Sequence, residues 1–231
     1  MNDGRRSFWS GVRHCTPILL GMVPFGLICG VVCVNAGMSA WEAVGFSTII
    51  FAGASQLAAV QLMVNHASLA VIILTGLVIN ARFFMYSASI APHFRGLPPA
   101  RKGVLAYLLT DQAYAMSIAR YGREDGGPAS KPLYFLGAGL TVWACFCATA
   151  GAGALVGALI PPSWDLGFAI PLTFIAVVVP AIKDRPTAVA GLAAGLAACL
   201  ADGLPYNLGL LAGAITGIVI GYIVERRGAR G

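Results

Sequence analysis

Long apolar runs separated by short polar stretches make up most of the chain. A run of about 20 apolar residues is long enough to cross a lipid bilayer as a helix. Few segments alternate with the period of two that a strand would show, and open sheet edges are excluded from lipid. The pattern therefore predicts an all-α integral membrane protein, a polytopic bundle of about eight membrane helices. The candidate spans are 16–36, 41–64, 68–91, 103–120, 133–160, 166–182, 187–202 and 205–224.

The composition agrees with this pattern. Hydrophobic residues make up 58% of the 231 residues and charged residues 10%, whereas soluble domains carry about 25% charged residues. This deficit excludes an ordinary globular cytosolic enzyme. The length leaves room for a single transmembrane domain over 16–224, with a cytoplasmic N-terminal segment at 1–15 and a cytoplasmic tail at 225–231.

Positive charge sets the expected orientation of the spans. Lys and Arg are concentrated in the N-terminal segment, near 120–131 and 183–185, and in the C-terminal tail, and such residues favour the cytoplasmic side. Both termini are therefore predicted to be cytoplasmic. The net charge of +6 follows from this topology, and no basic stripe with interleaved aromatic residues indicates a nucleic-acid partner.

The loop at 93–102 conflicts with this orientation. It carries three Lys or Arg residues, yet counting the crossings in order places it outside. Either the charge rule is violated once, or a segment on each side of the loop does not cross. The segments 41–64 and 103–120 contain polar residues, so both are candidates for broken or re-entrant helices, which lipid tolerates only where protein or water surrounds them.

A small polar cluster interrupts the second candidate span. The stretch FAGASQLAAVQLM (51–63) holds Gly53, Ser55 and Gln56, and an amide without a partner in hydrocarbon is costly. Gln56 should therefore face other helices or a cavity, while Gly53 lets backbone or substrate approach closely. Two interpretations stay open: a substrate site built from these groups, or interhelical hydrogen bonds worth about 0.6 kcal/mol each.

A polar stripe is expected in the third span. Residues at i, i+4, i+7 and i+11 lie on one helix face, and these positions hold Arg82, Tyr86, Ser89 and His93. An arginine at the bilayer centre costs at least about 2.5 kcal/mol, so the stripe should face the interior of the bundle. The alternative is that Arg82 extends to the interface and anchors the helix there.

Asp111 is the one carboxylate deep inside an apolar segment. Tyr107, Asp111 and Tyr114 recur at i, i+4 and i+7, so they are predicted to share one helix face. Desolvation would protonate an isolated buried carboxylate, whereas a nearby arginine would keep it ionised. We therefore expect Arg82 and Asp111 to approach each other. The pair is either structural or a switch in which Asp111 takes up and releases a proton.

The sequence offers little support for an enzyme or a metal-binding protein. Ser55 in its glycine context suggests an intramembrane hydrolase, but this chemistry needs a base within reach, and the three histidines lie at segment ends or in loops. No nucleotide-binding glycine loop or HExxH metal motif occurs, and no metal-ligand spacing joins the six cysteines. We expect no enzyme activity, no cofactor and no metal.

Four stretches together resemble the AzlC family, the large subunits of bacterial branched-chain amino acid exporters. They are GMVPFGL (21–27), FAGASQLAAVQLM (51–63), NARFFMYSASIAPHFRG (80–96) and LLTDQAYA (108–115), and the similarity extends over most of the chain. Family members often carry a basic ring and a second carboxylate where this chain has Phe83 and Gln112. The missing carboxylate argues against a multi-proton relay and leaves a single-site switch at Asp111.

The resemblance implies a secondary transporter that exports valine, leucine, isoleucine or methionine across the bacterial inner membrane, driven by the proton gradient. Its partners would be the amino acid, a small membrane subunit of the AzlD type and membrane lipid. Asp111 would couple transport to protons. The alternatives are a hydrolase that uses Ser55, and a channel or carrier for another small amine or organic acid. The substrate-binding residues would be Gly53, Ser55, Gln56, Asn80, Arg82 and Tyr86.

Overall fold

The apolar runs fold into helices throughout the part of the chain that the structure describes. The computed structural model describes residues 3–122, 130–159, 182, 184–201 and 209–228, and in these ranges it contains helices and turns but no strand. The all-α prediction is confirmed. In chain order the helices are α1 (Asp3–Cys15), α2 (Leu19–Asn35), α3 (Ala40–Ile50), α4 (Gly53–Val64), α5 (Leu69–Asn80), α6 (Arg82–Ile90), α7 (Pro99–Tyr107), α8 (Asp111–Tyr121), α9 (Ser130–Leu159), α10 (Arg185–Leu200) and α11 (Gly209–Gly228), with 3₁₀ turns at Thr16–Ile18 and Ala91–Phe94.

The chain divides into two units. The first contains Met1–Val34, Met38–Gly53 and Asn80–Leu159, and the second contains Asn35–Gly37, Ala54–Ile79 and Ile160–Gly231. In the second unit, α10 and α11 pack as an antiparallel pair, because Gly209 lies against Ala201 while Gly221 lies against Ala190. Glycine recurs at every fourth position of α11 on this face, which lets the two backbones approach closely. The glycines of this stripe are Gly209, Gly213, Gly217 and Gly221.

Two long helices run side by side in the same direction through the first unit. One consists of α1 and α2 joined through the turn Thr16–Ile18, and the other is α9. Contacts advance together along both helices, since Gly11 lies against the backbone of Tyr134 and Gly30 against that of Ala150. Because glycine has no side chain, the two helices can pack closely at these positions, as expected for glycine-rich membrane helices.

These same two helices are long and apolar enough to cross a membrane, within the described ranges. They are Asp3–Asn35 and Ser130–Leu159, and the pair Leu69–Asn80 and Arg82–Phe94 makes a third if it counts as one span. The prediction of about eight membrane helices is therefore not confirmed. The sixth candidate, 166–182, lies outside the described residues except for Ile182. Residues 229–231 of the predicted tail also lie outside them.

Three candidate spans are broken near their centres. The span 41–64 divides at residues 51–52, the span 68–91 at Ala81, and the span 103–120 at residues 108–110. Phe51 ends α3 in the left-handed region, with φ 41° and ψ 41°, and a residue in this conformation terminates a helix. The prediction that 41–64 and 103–120 are broken or re-entrant is confirmed, whereas the break at Ala81 was not predicted.

Helices α7 and α8 form a hairpin that packs against α9. The start of α7 shares a groove with Leu133 of α9, and Tyr107 at the end of α7 contacts Trp143. Tyr121 at the end of α8 returns to the Lys131 carbonyl. Trp143 is 143 − 131 = 12 residues beyond Lys131, so the hairpin tip lies about 18 Å further along α9. The hairpin enters and leaves at one end of the first unit.

A buried apolar cluster holds this hairpin against α9 and the end of α6. Its side chains come from α6, α7, α8 and α9 and pack against one another, so the hairpin is part of the packed core of the unit. Gly139 of α9 allows the close approach, because an added Cβ there would lie 2.9 Å from Leu108 Cβ. The cluster contains Ile90, Phe94, Leu105, Leu108, Leu109, Ala113, Tyr121, Tyr134 and Phe135.

The basic loop 93–102 lies at the same end as the N-terminal helix. His93 Nδ1 is 3.3 Å from Lys131 Nζ at the start of α9, and the Ser7 hydroxyl of α1 donates to the Ser130 carbonyl at 2.8 Å. The loop therefore shares its end of the first unit with the basic residues of α1. Because the segment 103–120 turns back along α9, Tyr121 at its end also lies beside Lys131 at this end of the unit.

Candidate functional site

An ion pair joins the starts of two helices at the depth of the hairpin tip. Arg82 is the first residue of α6 and Asp111 the first of α8, and Arg82 Nη1 lies 3.2 Å from Asp111 Oδ2. Thr110 caps α8, since its hydroxyl accepts from the Ala113 N–H at 3.3 Å. Free N–H groups at a helix start favour a carboxylate. The predicted approach of Arg82 and Asp111 is confirmed.

The ion pair leaves polar atoms unused. Within the described residues, Arg82 Nε and Asp111 Oδ1 are enclosed and make no hydrogen bond. Other atoms of the two side chains are accessible, since 35% of the Arg82 side chain and 41% of the Asp111 side chain is exposed. The guanidinium lies over Phe83, 5.3 Å from the ring centroid, and Tyr86 lies beside the Asp111 carboxylate. A guanidinium held by a single contact keeps donors for a second anionic group.

The polar stripe of α6 faces α8, while the prediction that it faces the interior of the bundle stays a prediction. The Tyr86 ring stacks on Tyr114 with centroids 4.4 Å apart and 15° between the planes. The Tyr114 hydroxyl donates to Ser89 Oγ at 2.9 Å, and the His93 ring lies 4.7 Å from that of Tyr121. The contacts advance together along both helices, so α6 and α8 run in parallel from the ion pair to the basic end.

The hairpin tip is attached to the break in the second candidate span. The Tyr107 hydroxyl donates to the Thr48 carbonyl, and Trp143 Nε1 donates to the Tyr107 oxygen at 2.8 Å. The last carbonyls of a helix lack N–H partners in that helix, and Tyr107 supplies a donor to one in the last turn of α3. The Phe51 ring, next to this break, lies 5.9 Å from the Tyr107 ring.

This role of Tyr107 was missed from the sequence. The prediction placed Tyr107 on one helix face with Asp111 and Tyr114, which is wrong because the helix is interrupted between residues 107 and 111. The available signal was Thr110 directly before Asp111. A threonine followed by an acidic residue is typical of a helix start.

Gly53 begins α4 and packs against aromatic side chains of the first unit. A Cβ atom added there would overlap the ring of Phe25 and lie 3.3 Å from Cε2 of Phe146. Gly53 therefore permits the close approach of two aromatic rings, a contact that was not predicted from the sequence. Its approach to a substrate stays a prediction.

The other predicted binding residues lie on both sides of the division between the units. Ser55 and Gln56 are buried on α4 in the second unit. Asn80 and Arg82 belong to the first unit, where they flank the break at Ala81. A common cavity formed by Gly53, Ser55, Gln56, Asn80 and Arg82 stays a prediction, while the structure brings Arg82, Tyr86 and Asp111 together.

Ser55 lacks a histidine base nearby in its own unit. His66 follows the end of α4, 66 − 55 = 11 residues after Ser55, which corresponds to about 16 Å along a helix. His14 and His93 belong to the first unit, where each contacts another polar side chain. The geometry of the second unit therefore offers no nucleophile–base pair at Ser55 among the residues described.

Comparisons with known proteins converge on one family of membrane proteins. A family model described as AzlC protein matches residues 17–160, more than half of the chain. The chain is 24% identical over 188 residues to the Escherichia coli "Inner membrane protein YgaZ", covering 79% of this chain and 76% of that protein. No solved structure matches the chain.

Further relatives carry only general names. The chain is 29% identical over 182 residues to an "Uncharacterized membrane protein" of Archaeoglobus fulgidus, covering 77% of each protein. It is 31% identical over 126 residues to an "Uncharacterized membrane protein" of Helicobacter pylori, covering 54% of each. These relatives agree with a membrane location and name no substrate.

Proposed function

The chain belongs to the AzlC family, and we propose that it is a secondary transporter that exports valine, leucine, isoleucine and methionine across the bacterial inner membrane. The observation that carries this proposal is the Arg82–Asp111 ion pair at the hairpin tip, with its unused donor and acceptor atoms. Charged residues within membrane segments commonly mark substrate and ion pathways. Interrupted helices that meet at such residues are typical of transporter binding sites.

The ion pair offers a complement to both charged ends of an amino acid. Arg82 would bind the substrate carboxylate with Nε and a neighbouring Nη, the fork that suits a carboxylate. Asp111 Oδ1 would accept the substrate ammonium. The rings of Phe83 and Tyr86 would provide apolar surface for an aliphatic side chain.

Protonation of Asp111 would couple this binding to the proton gradient. An ionised Asp111 holds Arg82 through the Nη1–Oδ2 contact of 3.2 Å. A protonated Asp111 loses its charge and weakens this contact, so Arg82 becomes available to the substrate carboxylate. Because Gln112 follows Asp111, a single carboxylate would carry the proton at this site.

The proposed orientation places the basic end of the first unit in the cytoplasm, with both chain termini inside. The end of α2 lies at the opposite end of that unit, since Val31 packs against Gly157 near the end of α9. The chain must then cross an odd number of times between α2 and the loop 93–102. We therefore propose that one of the segments 41–64 and 68–91 crosses and the other turns back. A small AzlD-type subunit would complete the carrier.

The direct test is efflux of labelled valine, isoleucine and methionine from cells loaded with the matching dipeptides. The comparison includes this chain alone, this chain with the small membrane protein encoded beside it, and variants in the pair. Arg82→Ala should abolish efflux, and Arg82→Lys should restore little because lysine lacks the fork. Arg226→Ala, which removes a basic residue on α11, is the matched control and should leave efflux unchanged.

Proton coupling is read in the same cells by collapsing the gradient. Asp111→Asn should transport slowly and without dependence on the proton gradient. Normal efflux by an inserted Arg82→Ala variant would refute the binding role, and unchanged gradient dependence in Asp111→Asn would refute the switch. No efflux in any arm, with insertion verified, would favour the second candidate, a carrier for another small amine or organic acid.

A further inference from the structure

Two apolar grooves lie side by side at the basic end of the first unit. The larger, of about 940 Å³, runs between the loop after α6 and the starts of α7 and α9. The smaller, of about 500 Å³, runs between the end of α6 and α7. They meet at Phe94, Arg95 and Leu105, which line both. The result is a two-branched apolar surface with an arginine at its junction.

Basic side chains gather where the grooves meet. Arg95 lines both grooves, Arg101 lines the larger and Lys102 the smaller. Lys102 Nζ reaches the Arg95 carbonyl at 3.4 Å, which keeps these cations together. No Asp or Glu is among the described residues that line either groove. The junction therefore carries positive charge without a counter-charge of its own.

The grooves extend from the helix ends towards the depth of the hydrocarbon. Leu136 lines the larger groove and lies 136 − 130 = 6 residues into α9, about 9 Å along the helix from Ser130. A bilayer headgroup region is about 5–7 Å thick on each side. Cations at the helix ends would thus lie at headgroup level, and the apolar walls would lie beside acyl chains.

We propose that this pair of grooves binds one acidic phospholipid. Its phosphate would bind to Arg95, Arg101 and Lys102, since guanidinium and ammonium groups are the usual partners of phosphate. Its two acyl chains would occupy the two grooves. The branched shape favours a two-chain lipid, and the uncompensated charge favours an anionic headgroup over a zwitterionic one. The site is independent of the transported substrate.

The test is lipid retention by the purified full-length protein in detergent, measured by native mass spectrometry. Phosphatidylglycerol and phosphatidylcholine with identical acyl chains are added separately over a concentration series. Three variants are compared with the unchanged chain. They are the charge variant Arg95→Gln/Arg101→Gln/Lys102→Gln, the groove-filling variant Ala100→Trp, and the control Arg226→Gln/Arg227→Gln at the end of α11.

The unchanged chain and the control should retain phosphatidylglycerol in preference to phosphatidylcholine. A cation near an anionic lipid contributes about fivefold to binding, so the charge variant should bind phosphatidylglycerol roughly a hundredfold more weakly. Ala100→Trp should also weaken binding while keeping all three charges. Equal retention of the two lipids, or unchanged binding in either test variant, would overturn the proposal. So would exclusion of lipid from this groove by the small membrane partner when the two are purified together.

Discussion

The close packing of α2 against α9 leads to a prediction with a defined sign. A Cβ atom added at Gly30 would overlap the carbonyl oxygen of Ala150 and lie 2.5 Å from the Ala154 nitrogen. Backbone atoms within a helix cannot rotate away as the end of a side chain can. Gly30→Ala should therefore force the two helices apart. At Gly21 on the same helix, no atom of the described structure lies within 4 Å of an added Cβ.

The magnitude follows from these distances. Ordinary carbon contacts are about 3.5–4.0 Å, so the helices would have to separate by about 1 Å or more. Overpacking costs about 1–3 kcal/mol, and alanine recovers about 0.5–1 kcal/mol of helix propensity. Because the contact is with rigid backbone atoms, we take the upper end of the overpacking range. The free energy of unfolding should then fall by a net of about 2 kcal/mol. For a chain of this size the melting temperature should fall by about 4–8 °C.

Gly21→Ala is the matched control, because it keeps the gain in helix propensity and creates no overlap. Its melting temperature should rise by about 1–4 °C. The assay is a thermal melt in detergent with a dye that fluoresces on reacting with thiols, since Cys15, Cys29 and Cys33 are buried in the folded chain. If Gly30→Ala melted at or above the temperature of Gly21→Ala, the close packing described for these helices would be refuted.

Two further predictions use the same melting assay. Tyr107→Phe removes the donor to the Thr48 carbonyl, so the free energy of unfolding should fall by about 0.5–1.5 kcal/mol; an equal effect of Tyr222→Phe, at a similarly exposed position on α11, would contradict this. Asp184 caps α10, and hydrogen bonds from the Thr187 hydroxyl and N–H hold the pKa of that carboxyl below its ordinary value of 3.8. A lowered pKa stabilises the fold above the unfolded-state pKa, and this stabilisation is lost as the pH falls through the folded-state pKa. Asp184→Ala should therefore lower the melting temperature at pH 7, and the difference should shrink as the pH falls below 3.8; a difference independent of pH would exclude the capping interaction as its cause.

Periodicity was a sound guide wherever a helix is continuous. From Arg82 to His93 the chain is helical apart from the final 3₁₀ turn, and the predicted stripe faces α8 along its whole length. The same rule failed between Tyr107 and Asp111, where the helix ends and another begins. Spacing of four residues places two side chains on one face only if every intervening residue has helical backbone angles.

The helical membrane class and the two residues of the ion pair could be predicted from local features of the sequence. Apolar run length and the scarcity of charge are local properties, and they restrict the backbone to helices because lipid offers no hydrogen-bond partners. Arg82 and Asp111 were also accessible from sequence, since two opposite charges in apolar surroundings are most stable together.

The positions at which the candidate spans break, and the turn back of the segment 103–120, depend on contacts between distant parts of the chain. An interrupted helix leaves backbone groups that need partners, and at the end of α3 the partner is Tyr107, 107 − 48 = 59 residues after Thr48. No local pattern records such a distant donor. The hairpin of α7 and α8 likewise depends on packing against α9. That packing brings the loop 93–102 to the same end as the N-terminal helix, which counting spans along the sequence could not show.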